Sequence, residues 1–141
     1  MEISVDEFFE STLDSVSVAE AQIVDLSTKL GFDEEEVYHL GYAVHEAMVN
    51  AVVHGNRYSA NKKIRFTVSR SDRLIEVSIQ DEGAGFDPGG NADPLAIENL
   101  MNESGRGIAI IRAFVDEVAI QLVEPAGTRI TMRKNLPAPA V

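Results

Sequence analysis

Two stretches of strict alternation stand back to back in this chain, and the residue after them breaks the rule they set. From Lys62 to Arg70 the apolar side chains Ile64, Phe66 and Val68 fall on every second residue; from Leu74 to Gln80 Ile75, Val77 and Ile79 do the same. A period of two puts one set of side chains on one face, so each stretch reads as a strand half-buried against a core. Ser71-Asp72-Arg73 turns the chain between them, which makes the pair a hairpin. Asp81 is the next odd-numbered position after Ile79 and inherits the inward phase. An aspartate where an isoleucine should point is costly unless it is hydrogen-bonded. Phase alone therefore marks Asp81 as a site candidate.

A second constraint lies upstream, in a helical pattern over about residues 34–54. Asp33 is placed to cap it, with Glu36 at the reciprocal position of a capping box. Val37, Leu40, Val44, Ala47, Met48 and Ala51 recur at spacings of three and four, which is one buried stripe. His39, Tyr42, Glu46, Asn50 and His54 form a second stripe beside it. Taken alone, such a stripe is what a solvated helix face carries. Gly55 is placed to stop the helix in a left-handed conformation, and Asn56 reads as a turn residue.

The other elements follow in order. Glu2 to Phe9 alternates weakly and reads as a first strand. Ser17-Val18-Ala19-Glu20 has the form of a capping box for a first helix, with Val16, Ala19, Ile23, Leu26 and Leu30 inward and Gly31 at its end. Phe86 to Glu103 is a connection rich in Gly, Pro, Asn and Asp, with a short helix expected from Asp93-Pro94 to Met101. Connections beyond about 12–15 residues are usually functional lids or disordered, a tolerated insertion being the alternative. Ser104-Gly105-Arg106-Gly107 leads into a helix over Ile108 to Val115. Val118, Ile120 and Leu122 alternate as one strand; Thr128, Ile130 and Met132 as another, so Thr128 shares the inward phase. The expectation is an α+β two-layer sandwich, a mostly antiparallel mixed sheet covered on one face by helices. One domain over residues 1–134 and a flexible tail over 135–141 complete it.

Composition narrows the function. A chain of 141 residues makes one domain that buries about two-thirds of its unfolded surface. A net charge of −11 argues against nucleic acid, since phosphate contacts need clustered Lys and Arg, and favours a basic protein partner. Without cysteine there is no disulfide or thiolate metal site. No apolar run approaches the roughly 20 residues of a membrane helix, and Met1 opens no signal-peptide pattern. The expected setting is cytoplasmic, with no membrane.

Glycine in Gly105-Arg106-Gly107 lets the backbone approach a phosphate, the following helix offers free N–H groups, and Arg106 adds a fork of donors. A lone GxG is weak, and neither a Walker-type GxxxxGK[ST] nor a GxGxxG is present. The order of the motifs is more telling. The stretch Glu46 to Asn56, then Asp81-Glu82-Gly83-Ala84-Gly85, then Ser104-Gly105-Arg106-Gly107 resemble the N box and the two G boxes of the GHKL ATPase superfamily. Over about residues 15–134 the chain most resembles its small stand-alone members, the anti-sigma-factor serine kinases.

That resemblance implies a Bergerat-type fold with ATP between helices and sheet. It implies Glu46 as the base that orients or deprotonates the nucleophile, and Asn50 as a Mg²⁺ ligand. Asp81 would accept from the adenine amine, supported by Thr128. Gly83 and Gly85 would let the chain pass beside the base, and Gly105, Arg106 and Gly107 would cradle the phosphates. His54 would lie next to the site or serve as a helix-end partner. The implied function is an ATP-binding anti-sigma factor with serine/threonine protein kinase activity, which sequesters a sigma factor and phosphorylates an antagonist protein. A homodimer is compatible with it. An ATP-dependent binding switch without phosphotransfer is the alternative, and a detached histidine-kinase catalytic domain ranks last. Relatives commonly carry arginine in the first helix; here Val16 to Leu30 offers only Lys29, which bears on the partner and not on the nucleotide site.

Overall fold

A computed structural model describes residues 1–83 and 107–136. Its elements are β1 (Glu2–Glu10), α1 (Leu13–Lys29), α2 (Glu34–Val49) with a π-helical extension over Asn50–Gly55, β2 (Lys63–Arg70), β3 (Leu74–Gln80), α3 (Gly107–Phe114), β4 (Glu117–Leu122) and β5 (Thr128–Asn135). The expected connection over Phe86 to Glu103 lies outside the described residues, as do Gly85, Gly105, Arg106 and most of the expected tail. Asn135 itself belongs to β5, and the amide of Leu136 still bonds the Arg73 carbonyl at 2.7 Å.

The five strands lie in the order β1-β2-β3-β5-β4. All four pairings are antiparallel, so the mixed sheet expected from the sequence has no parallel pair among the described residues. Register aligns the inward rows: Phe66 faces Ile79, Ile79 faces Ile130, and Ile130 faces Ile120. A second row runs Val68, Val77, Met132, Val118. These side chains pack under the stripe of α2 (Val37, Leu40, Val44, Ala47, Met48, Ala51) and under Val16, Ala19 and Ile23 of α1, in one core. The opposite face of the sheet is polar, a shallow concavity lined by Arg65, Ser78, Gln80, Arg129, Thr131 and their neighbours. Among the described residues no helix is long and apolar enough to cross a membrane.

Helix ends follow from local hydrogen bonding. Asp33 caps α2 as expected, its Oδ1 accepting from the Glu36 amide at 2.8 Å. The first helix starts earlier than its capping-box pattern suggests. Thr12 is the cap, accepting from the Ser15 amide at 3.3 Å, so Ser17 and Glu20 stand inside the helix. At the other end Gly31 takes φ +93°, a conformation that disfavours any side chain. Replacing Asp33 with alanine leaves an amide of the first turn without its acceptor. We expect Asp33→Ala to lower stability by about 1 kcal/mol, seen as a lower urea midpoint at unchanged slope.

Candidate functional site

Helix α3 lies head to tail along the polar stripe of α2. At its C-terminal end the Phe114 ring stacks on His39 with centroids 4.3 Å apart and planes 11° apart, and meets Tyr42 edge-on at 5.9 Å. At its N-terminal end a methyl group on Gly107 would stand 3.3 Å from Glu46 Oε2 and 3.3 Å from Asn50 Nδ2. The part of the stripe from His39 to Asn50 is therefore the seat of α3, while Tyr42 keeps one side exposed and His54 lies beyond the seat in solvent. That seat brings the half-buried Glu46 and the buried Asn50 to the first turn of a helix. There, amide groups without an intrahelical partner carry a partial positive charge.

Asp81 is 4% exposed, as its phase requires. Its backbone continues the β3–β5 ladder, the Asp81 amide donating to the Thr128 carbonyl at 3.0 Å. Its Oδ1 accepts from two amides, Gly83 at 2.9 Å and Thr128 at 3.1 Å. Burial pushes the carboxyl pKa above its ordinary value of 3.8; the Gly83 and Thr128 amides and the charge of Lys62 pull the other way, and that of Glu82 adds to the rise. Gly55 lies directly against this carboxylate, and a Cβ there would collide with Asp81 Oδ2. A Cβ on Gly83 would collide in turn with the Gly55 carbonyl. Close approach, not a left-handed turn, is the reason for glycine at 55.

This corrects the expected helix end. Residues 50–55 form a π turn, closed by the Asn56 amide donating to the Ala51 carbonyl at 2.8 Å. The left-handed residues come later, at Arg57 (φ 50°) and Tyr58 (φ 59°). The wider turn leaves His54 exposed. Asn56 is no mere turn residue: it is 1% exposed and joins three segments. Its Oδ1 accepts from the Glu82 amide at 2.8 Å, and its Nδ2 donates to Ser11 Oγ at 2.9 Å and the Lys63 carbonyl at 3.0 Å. Glu82 is exposed, its carboxylate accepting from the Lys63 amide at 2.6 Å.

One helix thus carries both halves of the site. Glu46 and Asn50 meet Gly107, and Gly55 at the end of the same helix meets Asp81 and Gly83, with Thr128 bonded to Asp81 in turn. Gly85, Gly105 and Arg106, the other expected members, lie outside the described residues. A family model described as a histidine kinase-like ATPase domain matches residues 9–134. The chain belongs to that family.

Within it, the chain is of the GHKL anti-sigma-factor kinase-like kind. The anti-sigma F factor of Clostridium novyi (strain NT) is 30% identical over 132 residues, 91% of this chain and 91% of the relative. That of Bacillus subtilis (strain 168) is 28% identical over 130 residues, 91% of this chain and 89% of the relative. In fold, the chain is similar to a crystal structure of the RsbU and RsbW domains of Rv1364c from Mycobacterium tuberculosis. The TM-score is 0.67 at 20% identity, over 96% of this chain but 32% of that longer one.

What the sequence reading missed in this histidine kinase-like ATPase domain is the pair Gly55–Asn56. The one available signal was indirect: a buried carboxylate at 81 needs a neighbour without a side chain, and glycine at 55 provides it.

The raised pKa of Asp81 has a consequence for stability. The folded state favours the protonated acid, so this contribution is complete below pH 3.8 and is lost as pH rises through the higher folded value. Asparagine keeps an acceptor for both amides and cannot ionise. We expect Asp81→Asn to be at least as stable as wild type at pH 7, and its advantage in urea midpoint to shrink as pH is lowered toward 3.8.

Proposed function

We propose that this domain binds ATP with Mg²⁺ between α2, α3 and the Asp81 end of the sheet. There it transfers the γ-phosphoryl group to a serine or threonine of an antagonist protein, and it sequesters a sigma factor, acting in the cytoplasm. The observation that carries the reading is the placement of Glu46 and Asn50 at the first turn of α3, with Asp81 buried against Gly55 at the end of the helix that carries them. The names of the relatives, anti-sigma F factors, support the partner class.

The residues fit the nucleotide at both ends. Asp81 Oδ1 already holds two amides, which leaves Oδ2 for the adenine amine, and glycine at 55 packs against that oxygen without a Cβ to block it. Thr128 supports the same edge, and Gly83 lets the chain pass close by. Gly107 is the start of α3, whose amides suit phosphate oxygens, and Gly105 and Arg106 precede it in the chain. No cluster of three or more His, Cys, Asp or Glu able to hold a metal exists among the described residues. A Mg²⁺ ion here would arrive with the phosphates, as this ion usually does, and take the Asn50 amide oxygen as its ligand from the protein.

Bound Mg²⁺-ATP supplies the phosphoryl group and neutralises its charge. Glu46 orients the attacking hydroxyl and takes its proton at the carboxylate. Asn50 and the first turn of α3 hold the phosphate end in place, so positioning carries most of the work. A switch that captures partners without phosphotransfer has no need of a carboxylate at 46.

The test uses calorimetry and labelled ATP with a candidate antagonist protein. Wild type binds ATP, and Asp81→Asn, though folded, binds it at least about tenfold more weakly, in line with loss of one hydrogen bond to a charged group. Unchanged affinity in that variant overturns the adenine assignment. Glu46→Gln still binds ATP but transfers phosphate at least about 100-fold more slowly, the scale of general-base assistance. Wild-type transfer by Glu46→Gln overturns the base role. Absence of transfer by wild type with ATP and partner both bound decides for the switch.

A further inference from the structure

Resting on the nucleotide reading above, we propose that Asn56 is a positioning residue that sets the discrimination between adenine and guanine. It touches no part of the nucleotide in that reading. It acts through the backbone that holds Asp81.

A chain of short contacts links Asn56 to the carboxylate of Asp81. Asp81 can read an amino group only if its carboxylate keeps one orientation, and that orientation is set by the amides of Gly83 and Thr128 on Oδ1. The Thr128 amide belongs to a strand paired along its length and has little freedom. The Gly83 amide does not: it lies past the end of β3, in a stretch without ladder partners. Gly83 packs against the Gly55 carbonyl and is restrained by the preceding residue. The carboxylate of that residue accepts from the Lys63 amide at 2.6 Å, and its own amide, the more buried anchor of the two, donates to Asn56 Oδ1 at 2.8 Å. Asn56 is held in turn by Nδ2 bonds to Ser11 Oγ and the Lys63 carbonyl, and Ser11 Oγ donates to the Lys62 carbonyl at 2.6 Å.

The backbone of the same residue closes the π turn that presses Gly55 against the carboxylate. One asparagine thereby fixes both walls around Asp81, the Gly55 side through its main chain and the Gly83 side through its amide oxygen. Without that oxygen the Glu82–Gly83 peptide can turn, and the carboxylate follows it. A carboxylate held still rejects a purine that presents a carbonyl where adenine presents an amine, because two acceptors then face each other unpaired. A carboxylate free to turn away loses that rejection. The effect falls on the ratio of affinities, whereas general loosening of the fold weakens both nucleotides alike.

The experiment is calorimetric titration of the folded protein with ATP and with GTP, both in the presence of Mg²⁺. Wild type is expected to prefer ATP; no binding of ATP at all would overturn the nucleotide reading itself and not the role of Asn56 within it. Asn56→Ala should lower the ATP-to-GTP affinity ratio by at least about tenfold, the scale of losing one buried hydrogen bond. Asn56→Asp keeps an oxygen for the Glu82 amide and should retain most of the ratio despite lower stability. Ser11→Ala, which removes one of the two acceptors of Asn56 Nδ2 without emptying its place, should lower the ratio by less and covers the case of an Asn56→Ala protein that does not fold. A wild-type ratio in every folded variant overturns the proposal, and so does an equal loss of ATP and GTP affinity in Asn56→Ala.

Discussion

A carboxylate placed inside an apolar core has to be surrounded, and much of the geometry at one end of this molecule follows from surrounding Asp81. Desolvation disfavours its charge. Two main-chain amides answer part of that, one from the neighbouring strand and one from two residues ahead. The remaining space beside Oδ2 must be filled by something that neither repels the charge nor blocks it. A helix with a Cβ at this point would strike it, so the approaching residue is glycine. The helix also has to arrive in the right rotation. An α-helical turn would join the Asn56 amide to Val52, whereas the π turn joins it to Ala51 and inserts one residue. Such single-turn insertions cluster at functional sites, and here the gain is specific: a bare Cα is delivered to a buried acid.

Features set by a local period were legible in the chain. The inward rows of β2, β3 and β5 and the buried stripe of α2 are repeats of two and of three-to-four, and Asp81 and Thr128 were found as continuations of those repeats. Glu46 and Asn50 were legible as neighbours, one turn apart. What could not be read was any fact that depends on contact between distant residues. Nothing near residue 55 announces that residue 81 will lie against it, so the local meaning of glycine after a helix prevailed. Asn56 was discounted for the same reason, since its partners lie at 11, 63 and 82. The seating of α3 on the polar stripe joins segments separated by the whole length of the hairpin.

Strand β1 is faint in sequence for another reason. Its pairing with β2 is marked by charge as much as by apolar alternation: Glu10 meets Lys63 at 2.6 Å, Asp6 meets Arg65 at 3.0 Å, and Glu2 lies 3.9 Å from Arg70. Each pair is exposed and weak, yet opposite charges set directly across (Glu2 and Arg70, Glu10 and Lys63) or diagonally (Asp6 and Arg65) disfavour a slipped register. The same acidic side chains crowd an edge strand, where a second copy of β1 would bring like charges together. Charge therefore specifies the neighbour and discourages the wrong one.

The overall charge sharpens what the nucleotide end must do. With a net charge of −11, the field at a distance repels a polyphosphate, so attraction must come from groups close to it. Beyond about 8–10 Å salt screens that repulsion, while donors in contact with the phosphates are screened far less. The first turn of α3 is such a set of donors, and it sits beside two residues that differ in kind. Asn50 is neutral and suits a cation's coordination sphere without adding negative charge. Glu46 is a carboxylate that stands as close to the start of α3 as Asn50 does, each 3.3 Å from a methyl group placed on Gly107. A carboxylate in that position is a liability for binding alone. Under the proposed phosphotransfer that carboxylate takes the proton; for nucleotide capture alone it would serve no purpose.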